Sequence, residues 1–169
     1  MKEKNLYEIM QNSAVGAIAM QSFVLGYYNS AKNEEADLLY PRLWHLFYVL
    51  PIAYNEHAMN AFQSSRKLYT AINTNRDVIL GLQDRANKMS SQTFDSLNLA
   101  FSKQILAYNR IQKTIELPID FKKRTPLLPL LMNRSDNRVK EIKDCSRKLG
   151  GVFAKVNEKN LQIHLNIRF

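Results

Sequence analysis

Residues 12–28 read NSAVGAIAMQSFVLGYY, and this stretch gives the chain its helical character. It lies within a longer run, starting at Leu6, in which apolar residues recur at helical spacing, and Asn12-Ser13 is the expected break and N-cap. Gly16 and Gly26 lower the helix propensity of the run. Each glycine is therefore expected to mark close packing or the end of a helix.

The most hydrophobic segment is LWHLFYVLPI, residues 43–52. It is apolar all round, which predicts a central core helix that Pro51 ends or kinks. Further apolar stripes at helical spacing predict three more helices. These are His57–Leu68, begun by Asn55 or Glu56, then Asn73–Asn87 with Val78, Leu82 and Ala86, and Ser90–Tyr108 with Leu97, Phe101, Ile105 and Tyr108.

The pattern changes after residue 113. Residues 114–117 (TIEL) predict a short strand or an extended link, and Phe121–Pro129 is a basic segment that forms a connection or a short helix. Ser135 or Asp136 then caps an amphipathic helix. Its apolar stripe consists of Val139, Ile142, Leu149, Phe153 and Val156. Residues 161–169 (LQIHLNIRF) alternate with period two, which predicts a strand with one buried face.

These elements predict a mainly α fold, a compact helical domain with a small C-terminal β element and a winged-helix-like end. Residues 1–113 would form a helical body that binds partners. Residues 114–169 would form a basic C-terminal part that packs with the body as one domain. No apolar segment is long enough to span a bilayer, and no secretory signal is recognised, so we expect a cytoplasmic protein.

The net charge of +9 is unevenly distributed along the 169 residues. Residues 1–60 carry −2, residues 61–117 carry +4 and residues 118–169 carry +7. A surplus of this size indicates an acidic partner: nucleic acid, an anionic membrane face or an acidic protein. The sign difference between the two ends favours two partners, or one partner and one polyanion. The common alternative is that these lysines solvate exposed helix faces.

Enzyme signatures are missing from the sequence. His45, His57 and His164 fall on three separate elements, so we expect structural histidines and no metal site. Cys145 lies beside the apolar stripe of the last amphipathic helix, which favours an inert buried thiol. There is no glycine-rich phosphate loop and no nucleophile elbow. The sequence therefore predicts a protein with no catalytic residues and no cofactor.

The amphipathic helix carries the best functional candidates. Lys140, Lys143 and Arg147 are spaced by three and four residues and form one cationic row. Arg138, Lys148 and Lys155 flank the row. Phosphates or an acidic protein surface would bind these six residues, whereas an ordinary solvated face is the structural alternative.

Two other features of the C-terminal part need an explanation. Gly150-Gly151 inside a helix costs roughly 1–2 kcal/mol, so either the helix breaks there or another backbone packs closely against it. A terminal strand leaves an edge that pairs with residues 114–117 or with a strand of another chain. The predicted partner-binding residues of that strand are Ile163, Leu165, Ile167 and Phe169.

Several segments resemble one protein family. Residues 12–17 (NSAVGA) and 23–28 (FVLGYY) resemble the "N-P-A-x-G-A … F-x-x-G-Y" opening of the middle component of ABC-three-component systems. LFYVLP at 46–51 is similar to that family's "LFLVLP". RKLGGVFA at 147–154 is similar to its "R-x-L-G-x-W-F-A", and residues 161–168 stand where the family has "x-I-F-x-x-L-x-V-R". Ser13 replaces the family's proline and Val152 its tryptophan.

The resemblance implies a role in bacterial immunity of the Lamassu type, against phages and plasmids. Such middle components are encoded between an SMC- or Rad50-like ABC ATPase and an effector, often a nuclease. The resemblance implies a non-catalytic subunit that binds the ATPase, helps to hold the effector inactive and contributes to sensing foreign DNA. A stand-alone winged-helix transcriptional regulator is the alternative that the residues leave open.

Overall fold

The computed structural model describes residues 11–34, 36, 38–122 and 137–168. The predicted mainly α fold with a small β element is confirmed. The α-helices are α1 (Ser13–Asn33), α2 (Val49–Ala53), α3 (Glu56–Ser64), α4 (Leu68–Thr74), α5 (Leu82–Lys88), α6 (Ser90–Ser102), α7 (Asn137–Phe153) and α8 (Glu158–Leu165). Short 3-10 helices cover Leu43–Tyr48, Arg76–Val78 and Ile119–Phe121, and the two strands are β1 (Ala107–Asn109) and β2 (Thr114–Glu116).

The central helix is α1. Its predicted N-cap is confirmed, because Oδ1 of Asn12 accepts a hydrogen bond from the N–H of Ala14 at 2.9 Å. Fourteen of its 21 residues are buried, which a helix achieves only when other elements cover it on most sides. The prediction that residues 43–52 form a buried helical segment is confirmed, since residues 45, 46 and 48–52 are buried, but α1 and not this segment is the central helix. That segment is a 3-10 helix followed by the five-residue α2, and Pro51 lies in the first turn of α2, where no N–H is required.

Helices α1 and α7 touch backbone to backbone. A Cβ atom built on Gly26 would lie 1.8 Å from the carbonyl oxygen of Arg147. One built on Gly150 would lie 2.0 Å from the carbonyl oxygen of Phe23. Of the two explanations for Gly150-Gly151, close backbone packing is therefore correct, and α7 continues through both glycines.

Helix α6 packs against the opposite end of α1, near its N-terminus. A Cβ atom on Gly16 would lie 2.0 Å from Oγ of Ser96, so the first glycine of α1 also marks a close contact. Leu97 and Ala100 of α6 are buried, and the predicted helix at residue 90 is confirmed. It ends at Ser102, well before Tyr108, and Gln104 adopts a left-handed backbone with φ 56°.

The helix predicted over Asn73–Asn87 is wrong in its first half. Helix α4 ends at Thr74, a 3-10 turn follows, and Gly81 adopts φ 66° before α5 begins. A left-handed residue cannot lie inside an α-helix, so Gly81 separates the two segments. The predicted start of α3 is confirmed, since Oδ1 of Asn55 accepts a hydrogen bond from the N–H of Ala58, but α3 ends at Ser64.

The two strands form an antiparallel hairpin in which Ala107 pairs with Glu116 and Asn109 with Thr114. The predicted extended segment at 114–117 is confirmed in β2. Tyr108 was expected on a helix, but a three-residue strand is too short to show a period-two pattern in the sequence. The chain at position 42 adds an antiparallel bridge to Thr114, and the N–H of Ile115 donates to the carbonyl of Pro41 at 2.9 Å.

Arg42 joins three parts of the fold. Its backbone bridges Thr114, and its N–H donates to Nδ1 of His45 at 3.0 Å. Its Nε lies 2.8 Å from Oε1 of Glu158, the first residue of α8. The hairpin, the 3-10 helix and the last helix therefore meet at this residue.

The strand predicted over Leu161–Phe169 is wrong, because these residues belong largely to α8. Oδ1 of Asn157 accepts from the N–H of Asn160 and caps the helix, and Asn166 ends it with φ 52°. Leu161 and Leu165 are four residues apart, so a helix buries both while Ile163 stays outside. The winged-helix-like end thus lacks the terminal strand on which it was based.

Two further sequence expectations lie outside the described residues. One is the cap of the last amphipathic helix, predicted at Ser135 or Asp136. The other is the basic segment beyond Lys122. The segment's first residues are described, and Ile119–Phe121 forms a 3-10 helix.

Replacing Gly26 or Gly150 with alanine is expected to destabilise the protein by about 1–3 kcal/mol, because the added methyl group meets backbone that cannot rotate away. The matched control is Gly151→Ala, whose Cβ would meet Oγ of Ser30 at 2.9 Å, the end of a side chain that can turn. Its free energy of unfolding should stay within about 1 kcal/mol of wild type. Urea unfolding measures all three, and equal losses would contradict the backbone contact.

Candidate partner-binding surface on α7

Helix α7 buries the predicted apolar stripe and exposes a polar one. Val139, Ile142, Leu149 and Phe153 are buried, as predicted, and Val156 beyond the helix is half-buried. Helix α1 contacts one side of α7 through Gly26, and α3 contacts the other side, where Nε2 of Gln63 donates to the carbonyl of Glu141 at 3.4 Å. An outward face remains between these two neighbours.

We define the α7 strip as the outward residues Lys140, Lys143, Asp144 and Arg147. Lys140, Asp144 and Arg147 are exposed, and Lys143 is half-buried. Nζ of Lys143 lies 3.8 Å from Oδ1 of Asp144, so Lys143 has an acidic neighbour within the strip. Such exposed pairs contribute at most about 1 kcal/mol and leave both groups available to a partner.

The predicted flanking cations each have a partner within the protein. Nη1 of Arg138 lies 3.4 Å from Oε2 of Glu141, and Nζ of Lys155 lies 3.0 Å from Oε1 of Glu34 at the end of α1. Nζ of Lys148 donates to the carbonyl of Gln63 in the last turn of α3. A cation at a helix C-terminus interacts favourably with the helix dipole, so Lys148 ties α7 to α3.

Lys140 and Arg147 differ from these three. Within the part of the chain that the structure describes, no ion pair or side-chain hydrogen bond is found for either residue. The carbonyl of Arg147 is the group packed against Gly26, so its Cα is held firmly while its guanidinium points to solvent. The strip therefore displays two exposed cations, Lys140 and Arg147, for which the described residues supply no ion-pair partner, on a rigid backbone. Whether the six predicted cations bind a partner stays a prediction.

The predicted partner-binding residues at the C-terminus have different environments. Leu165 is fully buried and Ile167 is 3% exposed, so both belong to the core. Ile163 is 63% exposed on α8, and Phe169 lies outside the described residues. Residues 158–165 form a helix rather than a strand. They therefore offer no strand edge for the predicted pairing with a strand of another chain.

His45 is buried and neutral in the folded protein. It is 2% exposed, lies between the rings of Tyr27 and Phe153 at centroid distances of 5.8 and 6.0 Å, and accepts the N–H of Arg42 on Nδ1. Burial lowers its pKa from 6.5 to about 3, because the imidazolium would lose its hydration. The expected structural role of this histidine is confirmed by its contacts.

Cys145 is fully buried, and burial raises the pKa of its thiol to about 12. A thiol in this state stays protonated and shielded from solvent at neutral pH, so the predicted burial of Cys145 is confirmed. No three His, Cys, Asp or Glu side chains of the described residues come together as a metal site. Across the same residues, none of the helices combines the length and the apolar character needed to cross a bilayer.

A second exposed surface was missed by the sequence reasoning. Tyr108 was expected in the buried stripe of a helix, but it is 44% exposed on β1, and Ile111 in the hairpin turn is 94% exposed. The sequence does contain a signal for an exposed turn at this place. Asn109 has a side chain that favours turns, and it is followed by a lone isoleucine among polar and basic residues.

The family comparison accounts for the sequence similarities described above. A model of the family described as ABC-three component (ABC-3C) system Middle Component 3 matches residues 2–169. The chain belongs to this family. The resemblance to the middle component is thereby confirmed, and the protein is a component of an ABC-3C defence system that works with other components, an ABC ATPase among them. No match is found among curated proteins or among solved structures.

The buried His45 makes the stability of this middle component depend on pH. The unfolded chain binds a proton near pH 6.5 that the folded chain takes up only near pH 3. Stability should therefore fall as the pH drops below about 6.5, by up to about 1.4 kcal/mol per pH unit. Urea unfolding from about pH 7 to about pH 4 measures this slope.

The matched comparison is His45→Gln, which keeps an acceptor for the N–H of Arg42 and removes the titrating group. The variant is expected to be less stable at neutral pH but to show a flatter dependence on pH. A slope identical to that of the wild type would mean that His45 is not responsible.

Proposed function

We propose that this protein is a non-catalytic assembly subunit of its ABC-3C system. It binds an SMC- or Rad50-like ABC ATPase, bridges it to a nuclease-type effector that it helps to hold inactive, and contributes to sensing foreign DNA. The α7 strip provides the contact to DNA or to an acidic protein surface. Family membership and the two exposed cations of the strip support this proposal.

The observation that carries the proposal is the position of Lys140 and Arg147. The backbone contact at Gly26 fixes α7, so these two charges are displayed at a defined spacing of seven residues, about 10 Å along the helix. Because the helix backbone is already ordered, only the side chains of Lys140 and Arg147 lose freedom when they contact phosphates or carboxylates.

The absence of catalysis in this proposal is supported by the state of the titratable groups. His45 and Cys145 are the side chains best suited to acid–base or nucleophilic chemistry among the buried residues, and both are neutral in an apolar environment. The same contacts between α1 and α7 support the proposal that residues 1–113 and 114–169 act as one unit.

The alternative of a stand-alone winged-helix regulator loses its main support. It required a strand after the basic helix, and residues 158–165 form α8 instead. The remaining argument for it, the charge on α7, serves a complex subunit equally well.

The double charge reversal Lys140→Glu/Arg147→Glu tests the proposal. We expect the variant to weaken binding either to the system's ABC ATPase or to a short DNA duplex by about tenfold or more at low salt. The loss should shrink as the salt concentration rises, because screening weakens the wild-type interaction. Co-purification with the ATPase and fluorescence anisotropy with the duplex are measured separately.

The matched control is Arg76→Glu/Lys88→Glu, which changes the net charge equally at two exposed positions outside α7. It should bind both partners as the wild type does. Retained DNA binding with lost ATPase association would assign the strip to the protein partner and exclude DNA reading by α7. Unchanged binding to both partners would contradict the function proposed for the strip.

A further inference from the structure

The tip of the β1–β2 hairpin exposes an apolar side chain to an unusual degree. Ile111 is 94% exposed, the highest value among the large hydrophobic residues that the structure describes. Tyr108 on β1 is 44% exposed, and Ile119, just past the hairpin, is 84% exposed. Single exposed hydrophobic residues are common on protein surfaces, so further observations are needed to assign a role to this one.

The turn that carries Ile111 is tightly organised. Oδ1 of Asn109 accepts the N–H groups of Ile111 and Gln112 at 3.0 and 3.1 Å. Nδ2 of the same amide donates to Oε1 of Glu116 at 2.8 Å. Lys113 closes the turn with φ 56°, a conformation uncommon for residues other than glycine. The turn thus holds Ile111 outward in one conformation.

The base of the hairpin is anchored in the protein core. Leu106, Ile115 and Leu117 are at most 4% exposed. Ile115 also donates its N–H to Pro41, which joins the hairpin to the chain before the 3-10 helix. A fixed base and an organised turn mean that little conformational entropy is lost when the tip binds a partner.

The tip is also cationic. Arg110 and Lys113 in the turn are exposed, and no ion pair is found for them among residues 11–34, 36, 38–122 and 137–168. The nearest acidic residue on the strands is Glu116, whose carboxylate accepts hydrogen bonds from Asn109 and Thr114. The surface around Ile111 is therefore apolar at its centre and positively charged at its edge.

We propose that this hairpin tip is a docking element for another protein component of the same ABC-3C system. Its partner site is a pocket with an apolar floor, which takes Ile111, and an acidic rim, which faces Arg110 and Lys113. This inference rests on the proposed function only in assuming that the partner belongs to the same ABC-3C system. It concerns a surface separate from the α7 strip. A shallow, mainly apolar cleft beside the hairpin, lined by Phe101 and Tyr108, receives a side chain of that partner.

A protein partner fits this surface better than DNA. An aliphatic side chain is stabilised in proportion to the apolar area that a pocket buries. On DNA the same side chain is buried only by wedging between bases, which costs their stacking free energy. A central apolar anchor within a charged rim is also the usual arrangement of energetically important residues in protein interfaces.

The test uses Ile111→Asp and the full-length protein. Binding to the system's ABC ATPase and to its third component is measured separately by titration calorimetry. With one of the two, we expect the dissociation constant to rise by about tenfold or more. The separate variant Ile111→Leu should bind within about twofold of wild type, because it keeps the apolar anchor. Arg110→Glu/Lys113→Glu should also weaken binding and reduce its dependence on salt.

The matched control is Leu80→Asp, which places the same charge on another exposed aliphatic residue, 66% exposed and outside both surfaces. Its binding and thermal stability should equal those of wild type, as should the thermal stability of Ile111→Asp. Unchanged binding of Ile111→Asp to both components would overturn the docking proposal. If Lys140→Glu/Arg147→Glu still lost its partner, the proposed function would stand.

Two further outcomes would overturn the protein-docking assignment. One is a loss of binding to a short DNA duplex with protein association intact, which would make the tip a DNA wedge. The other is self-association of the wild type that Ile111→Asp abolishes, seen by sedimentation equilibrium, which would make a second copy of this chain the occupant.

Discussion

The direct contact between the backbones of α1 and α7 determines most of what the molecule can present to a partner. Gly26 and Gly150 let the two helices approach until carbonyl oxygens occupy the space of the missing side chains. This approach buries Phe23 against Phe153, whose rings lie 5.5 Å apart edge to face. It also fixes which side of α7 faces outward. The basic strip is thus a consequence of where two glycines lie in the sequence.

Helix α1 relates the two candidate surfaces to each other. Its N-terminal half packs against α6 at Gly16, and α6 leads into the hairpin. Its C-terminal half packs against α7 at Gly26. The two glycines are separated by about 15 Å along the helix axis. One rigid helix therefore supports both the hairpin with its exposed Ile111 and the α7 strip, an arrangement that is consistent with the bridging role proposed above.

Long periodic segments could be predicted from the sequence, and short segments could not. Helix α7 lies where its apolar stripe predicts a helix, and the N-caps Asn12 and Asn55 correctly predict where α1 and α3 begin. These signals are local, which is why they suffice. Residues 161–168 were misassigned because apolar residues two apart are also four apart, so the pattern fits either structure. The three-residue β1 carries no period at all. Likewise, the partners of Lys148 and Lys155 come from distant segments, which no local pattern reveals.

Arg42 illustrates how poorly side-chain identity can reflect structural importance. Of its three links, the bridge to Thr114 and the donation to His45 use backbone atoms, which every residue except proline supplies. Only the pairing with Glu158 requires a guanidinium, and that pair is exposed enough to contribute little. Relatives could therefore vary freely at this position while keeping the junction intact. A search for essential residues guided by sequence variation would overlook the place where three segments of the chain meet.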